Sequence, residues 1–354
     1  MTDKVLMKGN EAIAEAAIMA GCRHYFGYPI TPQTEVAAYM AKRMPKIGGT
    51  FLQAESEIAA VNMVIGAAAA GVRTMTSSSS PGISLKSEGL SYMAGCELPA
   101  LIVNVQRGGP GLGGIQPSQS DYFQATRGGG HGDYHMLVLA PGSVQEMADM
   151  TVKGFELAET YRMPCMLLAD GTMGQMMEPV ELPEMIEHDM EKYDWYIRPR
   201  QEGEPQRAIW NRYWDWEDGG RKYPAYILDK YGRMEAEEQR WEEVETEDAE
   251  IVIVAYGTSA RVAKSAIARA RKEGIKLGMI RPITLWPFPK KAFDGLGTQV
   301  KGILDVERNI LGQMKDDIIL ADENRHPVEF YGEYWDNTSE FKIVETAKEM
   351  LKKY

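Results

Sequence analysis

Two carboxylates, Glu55 and Glu57, stand at a turn between Phe51-Leu52-Gln53 and an alanine-rich run that reaches Ala70. A carboxylate in the first turn of a helix is ordinarily a partner of the helix dipole, worth about 0.3–1 kcal/mol. That explains one of the pair. Glu57 runs directly into Ile58-Ala59-Ala60-Val61, and packing against apolar surface would suit it to proton transfer. On local grounds both readings of Glu57 stand. Further on, Ser77-Ser78-Ser79-Ser80-Pro81-Gly82 offers hydroxyls and amides that can hold a polar ligand or simply cap the next helix. No G-x-S-x-G elbow surrounds these serines, and no His/Asp pair is assignable to them.

Arg107 closes the apolar run Leu101 to Val105 and is followed by five glycines in seven residues. A guanidinium flanked by bare backbone suits bidentate recognition of a small carboxylate, the alternative being a rim salt bridge. Gly109-Pro-Gly111-Leu-Gly113-Gly114 is a literal G-x-G-x-x-G with Asp133 beyond it. A dinucleotide fingerprint should open a helix, however, whereas Pro110 and Gln116-Pro117-Ser118 leave no helical period. A close-approach loop is expected instead. His131 and His135 follow three glycines and enter a strand, so no metal site is expected from them.

The elements that must position these groups alternate regularly. Strands are expected at 24–27, 50–53, 72–77, 100–105, 136–139 and 165–169. Helices are expected from Asn10 to Gly21, from a Thr31 cap with Pro32 as first residue, at 57–70 and 83–95, and from a Ser143/Glu146 capping box to Tyr161. Such alternation implies an α/β fold with a doubly wound parallel sheet, and places Glu57 and the serine run just beyond strand ends, where such sheets bind ligands. Between Glu235 and Glu250 nine of sixteen residues are acidic, which reads as a solvated helix or connector. Alternation then resumes, with strands at 251–256, 276–280, 300–305 and 328–330 and helices at 260–273, 290–296 and 338–353. The expected organisation is a first domain over 1–190, an irregular acidic connector over 191–248, and a smaller α/β domain over 249–354.

Composition excludes several classes. With 354 residues, 44% hydrophobic and 25% charged, the chain can bury a large core. A formal charge of −12 argues against a nucleic-acid or anionic-membrane surface. Cys22, Cys96 and Cys165 match neither metal spacing nor a disulfide framework. No stretch approaches a membrane span and no apolar signal segment follows Lys4 and Lys8, so a cytoplasmic protein is expected.

Taken together, Gly27-Tyr28-Pro29-Ile30-Thr31-Pro32, Gln53-Ala-Glu-Ser-Glu57, Thr76-Ser-Ser-Ser-Ser80-Pro-Gly82 and Val105-Gln-Arg107-Gly-Gly-Pro resemble the α chain of the 2-oxoacid:ferredoxin oxidoreductases. Gly257-Thr258-Ser259 and Arg281-Pro282 match its second domain, and the likeness is greatest to the 3-methyl-2-oxobutanoate (branched-chain) type. The resemblance implies a thiamine diphosphate pyrimidine-binding domain followed by a transketolase C-terminal-like domain. It implies that Glu57 bonds N1′ of the aminopyrimidine and so promotes loss of the thiazolium C2 proton. It implies that Thr31 and Arg107 hold the substrate's carboxylate and oxo group, and that Tyr28, Pro29, Ile30 and Ser79 wall the cofactor. The GDG-x-n-N signature for Mg²⁺ and diphosphate is missing, since neither Asp170-Gly171 nor Gly132-Asp133 completes it. A β subunit with the diphosphate-binding domain should therefore supply those ligands, and Mg²⁺ and a [4Fe-4S] cluster should sit on partner chains. Further implied partners are γ and ferredoxin-like subunits, ferredoxin, coenzyme A and a 2-oxoacid. The Trp- and Arg-rich segment 194–238 departs from the resemblance.

The expected activity is oxidative decarboxylation of a 2-oxoacid with coenzyme A to acyl-CoA, CO₂ and reduced ferredoxin. Three rivals stay open. A 2-oxoglutarate enzyme would need a second cation toward the distal carboxylate, with Lys86 as the candidate; the others are a nucleotide-dependent dehydrogenase and a non-catalytic interaction subunit.

Overall fold

Runs such as Ala100–Gln106 and Pro164–Asp170, apolar on both alternating faces, can only be central strands, and every residue of both is buried. The computed structural model describes residues 4–214 and 219–354. Its strands, in chain order, are β1 Val5–Lys8, β2 His24–Gly27, β3 Thr50–Gln53, β4 Thr74–Ser78, β5 Ala100–Gln106, β6 Leu137–Leu139 and β7 Pro164–Asp170. There follow β8 Met177–Val180, β9 Trp241–Val244, β10 Ile251–Val254, β11 Leu277–Pro282, β12 Thr284–Trp286, β13 Gly302–Glu307 and β14 Val328–Gly332. Seven form one sheet in the order β12-β6-β7-β5-β4-β2-β3, parallel except for β12. Five form a second, β14-β13-β10-β11-β9, parallel except for β9. The α/β expectation holds.

The first four helices are α1 Gly9–Met19, α2 Thr34–Arg43, α3 Glu57–Ala69 and α4 Pro81–Gly95. The chain runs from β2 outward to β3, then crosses back to β4 on the other side of β2. Winding therefore reverses between β2 and β4, and an open sheet offers its ligand crevice at such a point, beyond the carboxyl ends of the strands.

Several local expectations differ from the structure. Helix α1 starts at Gly9, and Asn10 lies inside it; its buried amide donates to the Pro32 carbonyl and to Glu35, both at 2.8 Å. That bond takes up the carbonyl a helix starting at Pro32 would need, so α2 begins at Thr34 and Thr31 caps nothing. Ser143 does cap the helix Val144–Tyr161, but Glu146 reaches back to the Gly142 amide and to Arg281. The acidic stretch is not merely a solvated connector. It ends the helix Tyr223–Glu237 and supplies β9, where Arg281 and Lys264 neutralise Glu242. The helix expected over 290–296 is reduced to the turn Lys290–Phe293, ending just before Gly295 and Gly297, which disfavour its continuation. The β1/β8 pair and the helix Lys315–Ala321 had no sequence expectation. Within 194–238, residues 215–218 lie outside the described residues.

Candidate active site

Ser56 opens α3 by accepting from the Ala59 amide at 3.2 Å, so Glu57 is the first helical residue and turns inward, while Glu55 stays outside and exposed. Glu57 is 6% exposed, yet its carboxylate accepts no hydrogen bond from any described residue. What it faces is the first turn of α4. A Cβ added to Gly82 would stand 2.0 Å from Ser78 Oγ and 2.8 Å from Glu57 Oε1, so only glycine leaves room there. The hydroxyls of Ser78 and Ser79 are fully buried and without partners. Buried polar groups are normally satisfied, each orphan costing about 1–3 kcal/mol. Two such groups, beside a carboxylate that no described residue bonds, mark a place prepared for a polar ligand at the switch point.

Ser80, the residue before α4, has φ 26° and ψ −83°, a strained backbone for a residue with a side chain. A polar net holds it. Its amide donates to Asn104 Oδ1 (3.1 Å), its hydroxyl donates to Asp121 Oδ2 (2.6 Å), and the Arg107 amide donates to its hydroxyl (3.0 Å). Asn104 Nδ2 also donates to Asp121, at 2.9 Å. Burial raises the Asp121 carboxyl above its ordinary range, against the opposing pull of these two bonds. The serine loop is thereby tied to the end of β5, where Arg107 begins.

Arg107 is 7% exposed. Its Nη1 donates to the Thr31 carbonyl at 3.0 Å and its Nη2 to the Leu112 carbonyl at 2.8 Å, while Nε is buried and unpaired. A guanidinium carries five N–H donors, so these two bonds orient it and leave others for a carboxylate. The structure thus brings Thr31 and Arg107 together across the mouth of the crevice, with no carboxylate of the chain pairing the arginine among the described residues. Tyr28 and Pro29 are exposed and Ile30 half-buried on the loop leaving β2, with the Tyr28 carbonyl bonded by Gln33.

The glycine segment is a loop, as expected. Gly111 and Gly113 adopt positive φ, and a Cβ on Gly113 would strike the Gly108 carbonyl at 1.7 Å. His135 stacks on Trp286 (centroids 4.6 Å) and bonds the Thr126 carbonyl, while His131 only offers its carbonyl to Ser91. Lys86 is not the second cation of a dicarboxylate site. It is fully buried, and its ammonium donates to Thr76 Oγ1 (2.6 Å) and the Ser77 carbonyl (3.2 Å) because α4 turns it onto β4. Asp170 is likewise committed, its carboxylate accepting from the Thr172 and Met173 amides and from Thr258.

Sequence reasoning missed Gly82, Asn104 and Asp121. Asn104 left a signal, a polar residue inside the otherwise apolar Leu-Ile-Val-Asn-Val; Gly82 closes the serine motif, but nothing in the sequence signals that Glu57 packs against it.

A crevice with a carboxylate that no described residue bonds, at the switch point of one sheet that is followed by a second, mainly parallel sheet, defines an α/β chain with a polar ligand site. The thiamine diphosphate-binding model of pyruvate flavodoxin/ferredoxin oxidoreductases matches residues 15–241, and the core domain II model of pyruvate:ferredoxin oxidoreductase matches 249–342. The chain belongs to the 2-oxoacid:ferredoxin oxidoreductase family. Ketoisovalerate oxidoreductase subunit VorB of Methanothermobacter marburgensis is 49% identical over 316 residues, 89% of each chain. The 2-oxoglutarate synthase subunit KorA of Methanothermobacter thermautotrophicus is 39% identical over 350 residues, 89% of this chain and 90% of that one. A solved 2-oxoglutarate:ferredoxin oxidoreductase from Magnetococcus marinus, with 2-oxoglutarate, coenzyme A and succinyl-CoA bound, superimposes with TM-score 0.82 at 29% identity. The match covers 99% of this chain, which spans 66% of that one. A split-gene transketolase (TM-score 0.60, 12% identity, 98% of both chains) shares the fold.

Proposed function

We propose that this chain supplies the proton-exchanging and carboxylate-binding half of an active site shared with a second subunit. The enzyme is a 2-oxoacid:ferredoxin oxidoreductase acting on a branched-chain 2-oxoacid and coenzyme A to give acyl-CoA, CO₂ and reduced ferredoxin. The observation that carries the reading is the Glu57 side chain, buried at the switch point with no hydrogen-bond partner among the described residues. The residues present fit the pyrimidine end of thiamine diphosphate. Glu57 can exchange a proton with a ring nitrogen, Ser78 and Ser79 can bond polar ring substituents, and Gly82 makes room for Glu57 and Ser78 against the first turn of α4. When bound, thiamine diphosphate supplies the nucleophilic carbon and the electron sink for decarboxylation.

Arg107 binds the substrate carboxylate while the Thr31 and Leu112 carbonyls fix its plane. Leu112 and Ile115, exposed on the same loop, offer an apolar wall to an aliphatic side chain. With Lys86 withdrawn to β4, the 2-oxoglutarate reading loses its candidate cation. The VorB relatives' higher identity points the same way.

The diphosphate end does not fit. Asp170 is taken by backbone amides and Thr258, and the described residues hold no cluster of three metal-binding side chains. A β subunit carrying the diphosphate-binding domain and Mg²⁺ supplies that half, with the [4Fe-4S] cluster and ferredoxin docking on β, γ or ferredoxin-like chains. In this scheme residues 1–190 are the pyrimidine-binding domain and 249–354 the transketolase C-terminal-like domain. Among the described residues no helix is long and apolar enough to cross a membrane, which is compatible with a cytoplasmic complex.

The test is 2-oxoacid-dependent viologen reduction by the purified complex. Branched-chain 2-oxoacids should be turned over with the highest kcat/KM, and Arg107→Met should raise KM about tenfold or more. Preference for 2-oxoglutarate would overturn the substrate assignment.

A further inference from the structure

Lys86 is the one described residue that joins complete burial, a cationic head group and proximity to the Glu57 side of the crevice. It lies one helical turn after Gly82, the residue against which Glu57 Oε1 rests. Both hydrogen bonds of its ammonium go to neutral oxygens of β4, Thr76 Oγ1 and the Ser77 carbonyl. A buried ammonium is normally matched by a carboxylate in contact. Here no carboxylate lies within ion-pair distance among the described residues, and the opposite charge acting on Lys86 is Glu57, across the α3/α4 interface. The remaining ionisable group nearby is the Tyr25 hydroxyl from β2, reached through Ser77 Oγ and held in its neutral form by burial. Glu88, on the same helix, points to solvent.

We propose that Lys86 is a positioning residue for Glu57, a buried countercharge anchored on β4 against which Glu57 takes up and returns its proton during turnover. It touches neither substrate nor cofactor. Its ammonium stabilises the carboxylate form of Glu57, and if it discharges, Glu57 is left among neutral neighbours and holds its proton more tightly. Burial has already pushed the Lys86 ammonium down to about 7, so its charge is itself sensitive near neutrality. This inference rests on Glu57 being the proton-exchanging carboxylate. A lysine that merely pinned α4 to β4 would affect stability and leave the titration of Glu57 alone.

Infrared difference spectroscopy of the purified complex, stripped of thiamine diphosphate and titrated from about pH 4 to pH 10, separates the two. The Glu57 band is identified by its loss in Glu57→Gln. In Lys86→Met, which keeps the side-chain bulk, its midpoint should rise by one pH unit or more, a tenfold gain in proton affinity. A midpoint identical to wild type in an assembled variant overturns the proposal. Should Lys86→Met fail to assemble, wild type decides alone, because the Glu57 band must change a second time as Lys86 discharges; a single transition overturns the proposal equally. Failure of the Glu57 assignment is a separate outcome, seen as full activity in Glu57→Gln.

Discussion

The crevice at the switch point and the seam between the two sheets are both lined with polar and charged groups, and they treat those groups in opposite ways. In the crevice, Ser78 Oγ, Ser79 Oγ and Arg107 Nε are buried without partners among the described residues, and none of those residues bonds the Glu57 carboxylate, all beside a strained Ser80. In the seam most of the polar groups are shared out, Arg308 Nε being a buried exception. Arg281 lies between Glu146 (2.7 and 2.8 Å) and Glu242 (2.7 Å), Thr258 bonds Asp170, and the Gln119 side chain bonds Tyr256, Ser259 and Arg308. Single buried unpaired atoms occur elsewhere in the chain, Asn10 Oδ1 and Arg240 Nε among them, so it is their gathering at a switch point that marks what waits for another molecule. Charge alone would not have told the two regions apart.

The contrast can be broken from either side. Glu57→Gln, nearly isosteric, should cut turnover of the complex by about 10²–10⁴-fold while leaving the melting temperature of the chain nearly unchanged. A large loss of stability would instead place Glu57 with the structural groups. Arg281→Met should do the reverse, costing about 1–3 kcal/mol in denaturant unfolding by removing the buried cation that joins Glu146 to Glu242, with activity per assembled complex preserved. Lys86 lies between these cases. Its folded-state value near 7 is below the 10.5 of an exposed lysine, so the unfolded chain binds the extra proton. Stability should therefore rise with pH between those values, by up to about 1.4 kcal/mol per unit, and Lys86→Met should flatten the slope. The smallest effect belongs to Ser79→Ala, which removes an orphaned hydroxyl. Apo-protein stability should move by less than about 1 kcal/mol, toward higher stability, while thiamine diphosphate binds more weakly to the complex.

Much of the first sheet was legible because its strands are short apolar runs set off by glycine and proline, and because Ser143 and the helix over 57–69 carry ordinary start signals. What escaped were elements whose local chemistry is overruled by distant partners. The acidic β9 exists because Arg281 and Lys264 neutralise it, and α2 starts late because Asn10 takes the Pro32 carbonyl. In the crevice, residue type and spacing drew attention to Glu57 and Arg107 but left both readings of Glu57 standing, and only the family resemblance implied a role for Thr31. They could not show that Gly82 makes the space, that Asn104 and Asp121 brace Ser80, or that Lys86 turns away from the substrate side.

The central claim is that Glu57 activates a cofactor whose other end is held by a partner chain. The rate of deuterium exchange at the thiazolium C2 of thiamine diphosphate, followed by proton NMR after acid quench, tests it most directly. With cofactor bound to the reconstituted complex, Glu57→Gln should slow the exchange by at least about 100-fold relative to wild type. Exchange at the wild-type rate in that variant, with the cofactor still bound, would contradict the account.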